Sequence, residues 1–315
     1  MNRKDQLLFA VIVFSFWLPT TGCWSDSGSS NSNYSRTDTS ASPSSSAGPT
    51  TSNRNDNMGN KNAGDGSIKS GGFSANLPSA FSRPTDEVGT RLLKEYGSVF
   101  VARGGAVPPN TVVFHDDNAV STFQGSLSKT SDTVGGIKIE LQAAAMKALK
   151  EAVAEASQNG VSITPRGGDA ARRAYADTVE LWASRVNPGL DHWSGKGRIS
   201  AGDVQRIKAL SPYDQVPEIF RLESQGMYFS KDLSKSIIYS VAPPGSSQHL
   251  SMLALDVTEH DNAKVRDILA KHGWYQTVVS DLPHFTYLGA SESDLTKLGL
   301  KRTTDAGRTF WVPDI

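Results

Sequence analysis

The sequence has little cysteine, no excess of either charge and no long apolar run. Its 315 residues contain one cysteine, 32 basic and 32 acidic side chains. One cysteine excludes an internal disulfide, and a formal net charge of zero lacks the electrostatic footprint of a nucleic-acid binder. The apolar run at residues 7–18 has about 12 residues, too few to cross a hydrocarbon core of roughly 30 Å. We therefore expect no nucleic-acid partner and no membrane-spanning helix at this run.

The N-terminus nevertheless has the layout of a secretory signal. Arg3 and Lys4 precede the apolar run, and Thr20-Thr-Gly-Cys23 follows it. Basic start, short apolar core and small residues are typical of a cleaved signal peptide. The ending resembles the bacterial lipoprotein cleavage box, although Thr20 stands where that box usually has Leu. The resemblance implies lipidation of Cys23 and an extracytoplasmic, lipid-anchored protein of the cell envelope. An ordinary signal peptide with a chance cysteine is the alternative.

The next stretch is polar, and the apolar residues are concentrated after it. Residues 24–79 are mostly Ser, Asn, Thr, Gly and Asp. Such a composition buries too little apolar surface to offset its ordering entropy, which predicts a disordered tether. The predicted divisions are a signal peptide at 1–23, the tether at 24–79, an N-terminal extension packed on the core at 80–136, a main domain at 137–290, and a C-terminal helix and hairpin at 291–315.

Helical and strand patterns alternate in the main domain. Apolar spacing predicts a helix over 137–157, and Asp169 is placed to cap a second helix over 170–186. Short apolar runs predict strands, at 161–164, 236–241, 253–258, 274–279 and 285–288. The order indicates an α+β fold with a small antiparallel-rich sheet flanked by helices.

Two histidines and two aspartates fall within about 36 positions, beside short apolar runs. Catalytic zinc takes about three protein ligands and leaves one position for water. His249, Asp256 and His284 would supply two nitrogens and one oxygen, and Asp281 could serve as the general base. Taken singly, a strand aspartate is usually solvated or hydrogen-bonded, and a histidine near a strand end is usually structural. Spacing alone leaves both interpretations open.

Two motifs resemble the zinc D-alanyl-D-alanine carboxypeptidases and dipeptidases and the related phage L-alanyl-D-glutamate endopeptidases. Ser247-Gln-His249-Leu-Ser-Met-Leu-Ala-Leu-Asp256 is similar to the signature S-x-H-x-x-G-x-A-x-D, with Met252 in the glycine position. Asp281-Leu-Pro-His284-Phe is similar to the second signature, acid-x-x-His-Phe. The resemblance implies Zn2+ held by His249, Asp256 and His284, with Asp281 as the catalytic acid/base.

The same resemblance implies a substrate site. Arg166 occupies the place of an arginine that binds substrate, with Ser247 lining the same pocket; Arg172 and Arg173 are alternatives for that role. The implied activity is hydrolysis of peptidoglycan stem peptides, as a carboxypeptidase at a terminal D-Ala-D-Ala bond. An endopeptidase cutting inside the stem peptide is the alternative that Asp281 favours, since the phage enzymes have Asp there. A non-catalytic wall-binding lipoprotein is the alternative that Met252 favours.

Overall fold

A computed structural model describes residues 67–315. The predicted signal peptide with Cys23, and the tether up to residue 66, lie outside the described residues. Among residues 67–315, no helix combines the length and apolar character needed to cross a membrane.

Nine α-helices are found between residues 67 and 315, most of them short. Three lie before the first strand and six are distributed through the rest of the described chain. They are α1 (Gly72–Asn76), α2 (Glu87–Tyr96), α3 (Asp117–Gly125), α4 (Ala143–Gln158), α5 (Tyr175–Gly195), α6 (Ala201–Lys208), α7 (Gln215–Glu223), α8 (Ala263–Lys271) and α9 (Glu292–Leu295).

Seven strands form three small antiparallel sheets within the described part of the chain. Two sheets are hairpins, β1-β2 and β6-β7, and the third has the strand order β3-β5-β4. The predicted α+β class, with small antiparallel sheets among helices, is confirmed. The strands are β1 (Lys129–Val134), β2 (Ile137–Gln142), β3 (Ala254–Asp256), β4 (Trp274–Tyr275), β5 (His284–Tyr287), β6 (Leu300–Asp305) and β7 (Arg308–Pro313).

One apolar core runs from the first helix to the last strand. It contains buried residues of α1, α2, α4, α5, α8, the central sheet and β7. Phe73 of α1 is 2% exposed within this core. Gly299 packs directly against it, because a Cβ on Gly299 would collide with the backbone nitrogen of Phe73. The predicted end of the tether at residue 79 is therefore too late, because an apolar side chain at 73 orders the segment around it.

The predicted helix over 137–157 is wrong at its start. Residues 137–142 form β2, which pairs with β1 from Val134 opposite Ile137 to Lys129 opposite Gln142. The turn between them is Gly135-Gly136, both with positive φ, as a two-residue hairpin turn requires. Ile137 and Leu141 fit a helical period, but Ile139 lies between them at a period of two, and the Gly135-Gly136 turn favours the strand. The helix α4 then begins at Ala143.

Other predicted elements are shorter or absent. Residues 161–164 form no strand, and 236–241 contains the 3-10 helix Ile237–Tyr239. Asp169 caps no helix, because α5 begins only at Tyr175, where the Asp177 carboxylate accepts from the backbone N–H of Ala174. The backbone of 164–170 bonds to the segment at β3, with Asp256 N donating to Ala170 O, whereas the backbone bonds of 236–241 stay within its own turns, as from Val241 N to Ile237 O.

Candidate metal centre

The central sheet places one acidic and one basic side chain opposite each other. β3 and β5 pair antiparallel with Asp256 directly opposite His284. Directly opposed side chains in an antiparallel pair have Cβ atoms about 4.5–5.5 Å apart, so both can reach one ion. His249 comes from the 3-10 helix Gln248–Ser251, just before β3. A strand pair and one tight turn therefore bring together residues that are 35 positions apart in sequence.

Three potential ligand atoms form a nearly equilateral triangle. His249 Nε2 lies 3.3 Å from Asp256 Oδ1 and 3.2 Å from His284 Nδ1, and His284 Nδ1 lies 3.3 Å from Asp256 Oδ1. Zinc–ligand bonds of about 2.0–2.1 Å in tetrahedral geometry place neighbouring ligand atoms about 3.3 Å apart. The triangle therefore has the dimensions of one face of a zinc coordination tetrahedron. Among residues 67–315 these three are the group with metal-binding spacing.

Hydrogen bonds on the far side of each ring orient the lone pairs. His249 Nδ1 donates to the carbonyl oxygen of Ala171 at 2.8 Å, which leaves the lone pair on Nε2. His284 Nε2 donates to Gln248 Oε1 at 2.9 Å, which leaves the lone pair on Nδ1. Two ring nitrogens and a carboxylate oxygen thus converge as acceptors with no donor between them. Such an arrangement suits a cation, and fixing a ligand histidine through its other nitrogen is usual at metal sites.

Burial and charge favour the metal-binding protonation states of His249 and Asp256. Burial lowers the pKa of His249, which favours the neutral ring. Burial alone would raise the pKa of Asp256, but attraction and hydrogen bonding from His249 and His284 in their protonated forms outweigh it and leave that pKa below its usual range. Arg173 Nη2 also donates to Asp256 Oδ2 at 2.9 Å. The carboxylate is therefore ionised, with one oxygen held by arginine and the other facing the histidines.

Tyr96 and Phe114, which precede β1 in the chain, hold the site in place through backbone hydrogen bonds. Gln248 Nε2 donates to the carbonyl oxygen of Tyr96, at the end of α2, at 2.8 Å. This bond fixes which way the amide points, and so places Oε1 toward His284. The loop leading to His249 is fixed too: Phe114 N donates to Gly245 O at 2.9 Å, and a Cβ on Gly245 would clash with Phe114 O. Residues 80–136 thus hold the loop that carries His249.

Met252 occupies the position where the resembled signature has glycine. Its φ of 59° and ψ of 27° are left-handed, a conformation that costs a non-glycine residue about 1–2 kcal/mol. Its side chain is fully buried against Val107, Leu127 and Phe123. The turn after the 3-10 helix therefore keeps the geometry of a glycine turn, and apolar packing of the methionine offsets the backbone strain.

A cleft of about 280 Å³ opens beside the three ligands. Arg166, Ser247 and Asp281 all line it, so the structure places each of these predicted residues on the same cavity as the ligands. Asp281 and Arg166 are exposed, and Ser247 is half-buried. Between residues 67 and 315 the Arg166 guanidinium has no hydrogen-bonded or ion-pair partner, although its backbone N–H donates to Asp256 O at 3.0 Å.

The two other candidate arginines differ in where their side chains lie relative to the cleft. Arg172 turns away from the cleft, donating to Gln124 at 2.8 Å and pairing with Glu140 at 3.3 Å. Arg173 does line the cleft, but its guanidinium is bound to Asp256. Of the three arginines considered, Arg166 is therefore the one with its charge available to a ligand in the cleft.

Sequence reasoning missed the residues that orient the ligands. Gln248 lies next to His249 in the motif, and that proximity was the available signal for it. The Ala171 carbonyl and the Tyr96 carbonyl are backbone atoms far away in sequence, so no residue type marks them. Arg185 also lines the cleft and has no counterpart in the motifs.

The comparisons with known proteins are sparse. No family model matches the sequence, and no curated protein matches it. A crystal structure of a mutant of the vancomycin resistance D,D-pentapeptidase VanY, from a VanB-type resistance cassette in complex with Zn(II), matches with a TM-score of 0.27 and 16% identity. The match covers 50% of this chain and 78% of that chain. A likeness at this level carries no functional argument, so the function is argued from the site.

Proposed function

We propose that the protein is a zinc-dependent peptidase that hydrolyses peptidoglycan stem peptides, as a D-alanyl-D-alanine carboxypeptidase. The observation that carries the proposal is the triangle of His249 Nε2, Asp256 Oδ1 and His284 Nδ1, with sides of 3.2–3.3 Å and lone pairs that converge. Two histidines and one carboxylate beside an open cleft are the donor set of catalytic zinc. The two sequence motifs support the choice of substrate.

Zinc would supply Lewis-acid chemistry, lowering the pKa of water and polarising the scissile carbonyl. In the proposed reaction the Asp281 carboxylate accepts the proton of the attacking water and then gives it to the leaving amine nitrogen. Arg166 binds the terminal carboxylate, to which a guanidinium fork can make two parallel hydrogen bonds. Ser247 lies in the same cleft and orients the substrate backbone through its hydroxyl. Asp281 is exposed in the cleft, where it can reach both water and substrate.

A digest of purified muropeptides tests the proposal. The protein, loaded with zinc, is incubated with pentapeptide stems with and without a chelator, and the products are identified by mass spectrometry. We expect loss of one terminal alanine without chelator and no change with it. Cleavage inside the stem peptide would instead support the endopeptidase, the alternative that an aspartate at position 281 favours. Stoichiometric zinc with no cleavage of any stem peptide would contradict the proposed activity and leave a binding protein.

The proposal for location rests on the N-terminal sequence. We propose that Cys23 is lipidated and anchors the protein to a bacterial membrane on its extracytoplasmic side, with the polar stretch after it as the tether. Peptidoglycan lies outside the cytoplasm, so this location would bring the cleft to its substrate. We expect cells to label the wild-type protein with a fatty-acid analogue and not to label Cys23→Ser. Equal labelling of the two proteins would contradict an anchor at Cys23.

A further inference from the structure

The cleft continues beyond the metal ligands along helix α5. Thr178, Leu181 and Arg185 follow one another at spacings of three and four, and all three line the cleft. Residues so spaced share one face of a helix, and the seven positions from Thr178 to Arg185 rise about 10 Å. Ile238, Tyr239 and Ser240 line the same cavity. The cavity is therefore a groove that is lined both by the metal ligands and by Arg185 of α5.

Arg185 is held in this groove by neutral partners. Its Nε donates to Ser240 Oγ at 3.0 Å, and its Nη1 donates to Ser184 Oγ at 2.8 Å. No acidic side chain within residues 67–315 pairs with it, and the side chain is half-buried. The Ser240 bond fixes the guanidinium, while Nη2 keeps its donors free. A fixed, half-buried cation without a carboxylate is suited to bind an anionic group of a ligand.

The charges along the groove also favour an anionic ligand. Arg173 is neutralised by Asp256, with 2.9 Å between Nη2 and Oδ2. Arg166 and Arg185 then remain without a carboxylate partner, against Asp281 as the one other acidic side chain lining the groove in the described chain. A bound metal would add further positive charge. The groove therefore favours a peptide that has two carboxylates, one at its end and one along its length.

We propose that Arg185 binds a second carboxylate of the substrate, on the third residue to the amino side of the bond that is cut. This inference rests on the proposed function and adds a specificity determinant to it. An extended peptide advances about 3.3 Å per residue, so the third residue lies about 10 Å from the scissile bond, and that is the reach the proposal assigns to Arg185 in the same cavity. The terminal carboxylate binds Arg166, the scissile bond lies at the metal ligands, and the internal carboxylate reaches Arg185.

The test uses two synthetic pentapeptides that end in D-Ala-D-Ala and differ only at residue two. One has a free carboxylate there and the other a carboxamide. We expect wild-type protein to cleave the acidic peptide with a kcat/KM about tenfold higher, the scale of one charge-assisted hydrogen bond. Arg185→Gln should remove this preference by lowering the rate for the acidic peptide alone, and Arg185→Lys should keep part of it. Arg198→Gln, an equal loss of charge at an exposed arginine outside the groove, should leave the preference unchanged.

Binding separates this inference from the proposed function. Both peptides are titrated into Asp281→Asn protein by calorimetry, where about tenfold tighter binding of the acidic peptide is expected, and a loss of that difference when Arg185→Gln is added. Equal binding and equal rates for both peptides in wild-type protein would overturn the role of Arg185 and leave the carboxypeptidase standing. Cleavage of neither peptide together with a preserved binding preference would overturn the activity while supporting the carboxylate site.

Discussion

The two sides of the cleft are built in opposite ways. On the metal side, His249 and His284 are 2% and 4% exposed, and each has its second ring nitrogen hydrogen-bonded to a fixed acceptor. On the substrate side, Asp281 and Arg166 are exposed, and no side chain among residues 67–315 holds them. The metal side is held by hydrogen bonds before anything binds, whereas the side chains of Asp281 and Arg166 are free to take their positions when a ligand binds. In the proposed function a fixed metal site would serve several peptides, and the exposed side would decide specificity.

The largest effect should follow from removal of a ligand on the metal side. His284→Ala deletes one corner of the triangle and leaves Asp256 and His249 without their partner. We expect zinc affinity to fall more than about 100-fold, beyond the range typical of changes to residues that only orient a ligand. Zinc content after dialysis, measured by mass spectrometry, checks this, and peptide cleavage should be lost with the metal.

A matched histidine tests whether the loss is specific to the site. His272 lies at the end of α8 and is bonded to Glu155 at 2.9 Å, away from the cleft. His272→Ala should keep full zinc content. Retention of stoichiometric zinc by His284→Ala would show that the triangle does not hold the metal.

The substrate side should lose activity without losing metal. Asp281→Asn keeps the size of the side chain but can no longer accept a proton, so we expect kcat to fall about 10²- to 10⁴-fold at unchanged zinc content. Steady-state kinetics and metal analysis on the same sample measure both quantities. Asp267→Asn, at an exposed position on α8, should change neither. Loss of zinc in Asp281→Asn would show that this residue helps to hold the metal, and would contradict the division of the cleft into a metal side and a substrate side.

A smaller effect should follow from changing the residue that orients His284. Gln248→Leu removes the acceptor for His284 Nε2–H, so the ring can take the other tautomer and turn its lone pair away from the metal. We expect a loss of zinc affinity of about 10- to 100-fold. Gln248→Glu keeps an acceptor and should bind zinc more tightly than Gln248→Leu. Competition with a chelating dye measures the affinities.

The control for this prediction is another buried glutamine. Gln142 is 2% exposed and bonds to the backbone of Val107 and Ser251, but contacts none of the three ligands. Gln142→Leu should lower thermal stability and leave zinc affinity unchanged. Equal zinc loss in both variants would attribute the effect to general destabilisation instead of to the tautomer of His284.

Much of the fold could be predicted from local patterns, and the contacts between distant segments could not. Strands near 253–258 and 285–288 follow from short apolar runs, and β3 and β5 lie there. The register that sets Asp256 opposite His284 depends on the whole sheet. The Ala171 carbonyl, 78 positions from His249, is a backbone atom that any residue would supply. Residue types therefore indicated the ligands, while their orientation had to be read from the structure.

Met252 shows how a motif can lose its glycine and keep its turn. Its left-handed backbone favours glycine over alanine, whereas its buried side chain favours methionine. Truncation should lower the free energy of unfolding by about 2–5 kcal/mol, as for other buried methionines.

The comparison of Met252→Gly with Met252→Ala isolates the backbone contribution. Both variants lose the same packing, but glycine relieves the left-handed strain, so Met252→Gly should be the more stable by about 1 kcal/mol. Met146, 1% exposed within α4, is the matched control, since at a helical position glycine should be the less stable by about 1 kcal/mol. Denaturant unfolding of the four variants measures both differences. The same order at both positions would contradict a strained turn at Met252, because only a left-handed backbone reverses the preference between these two residues.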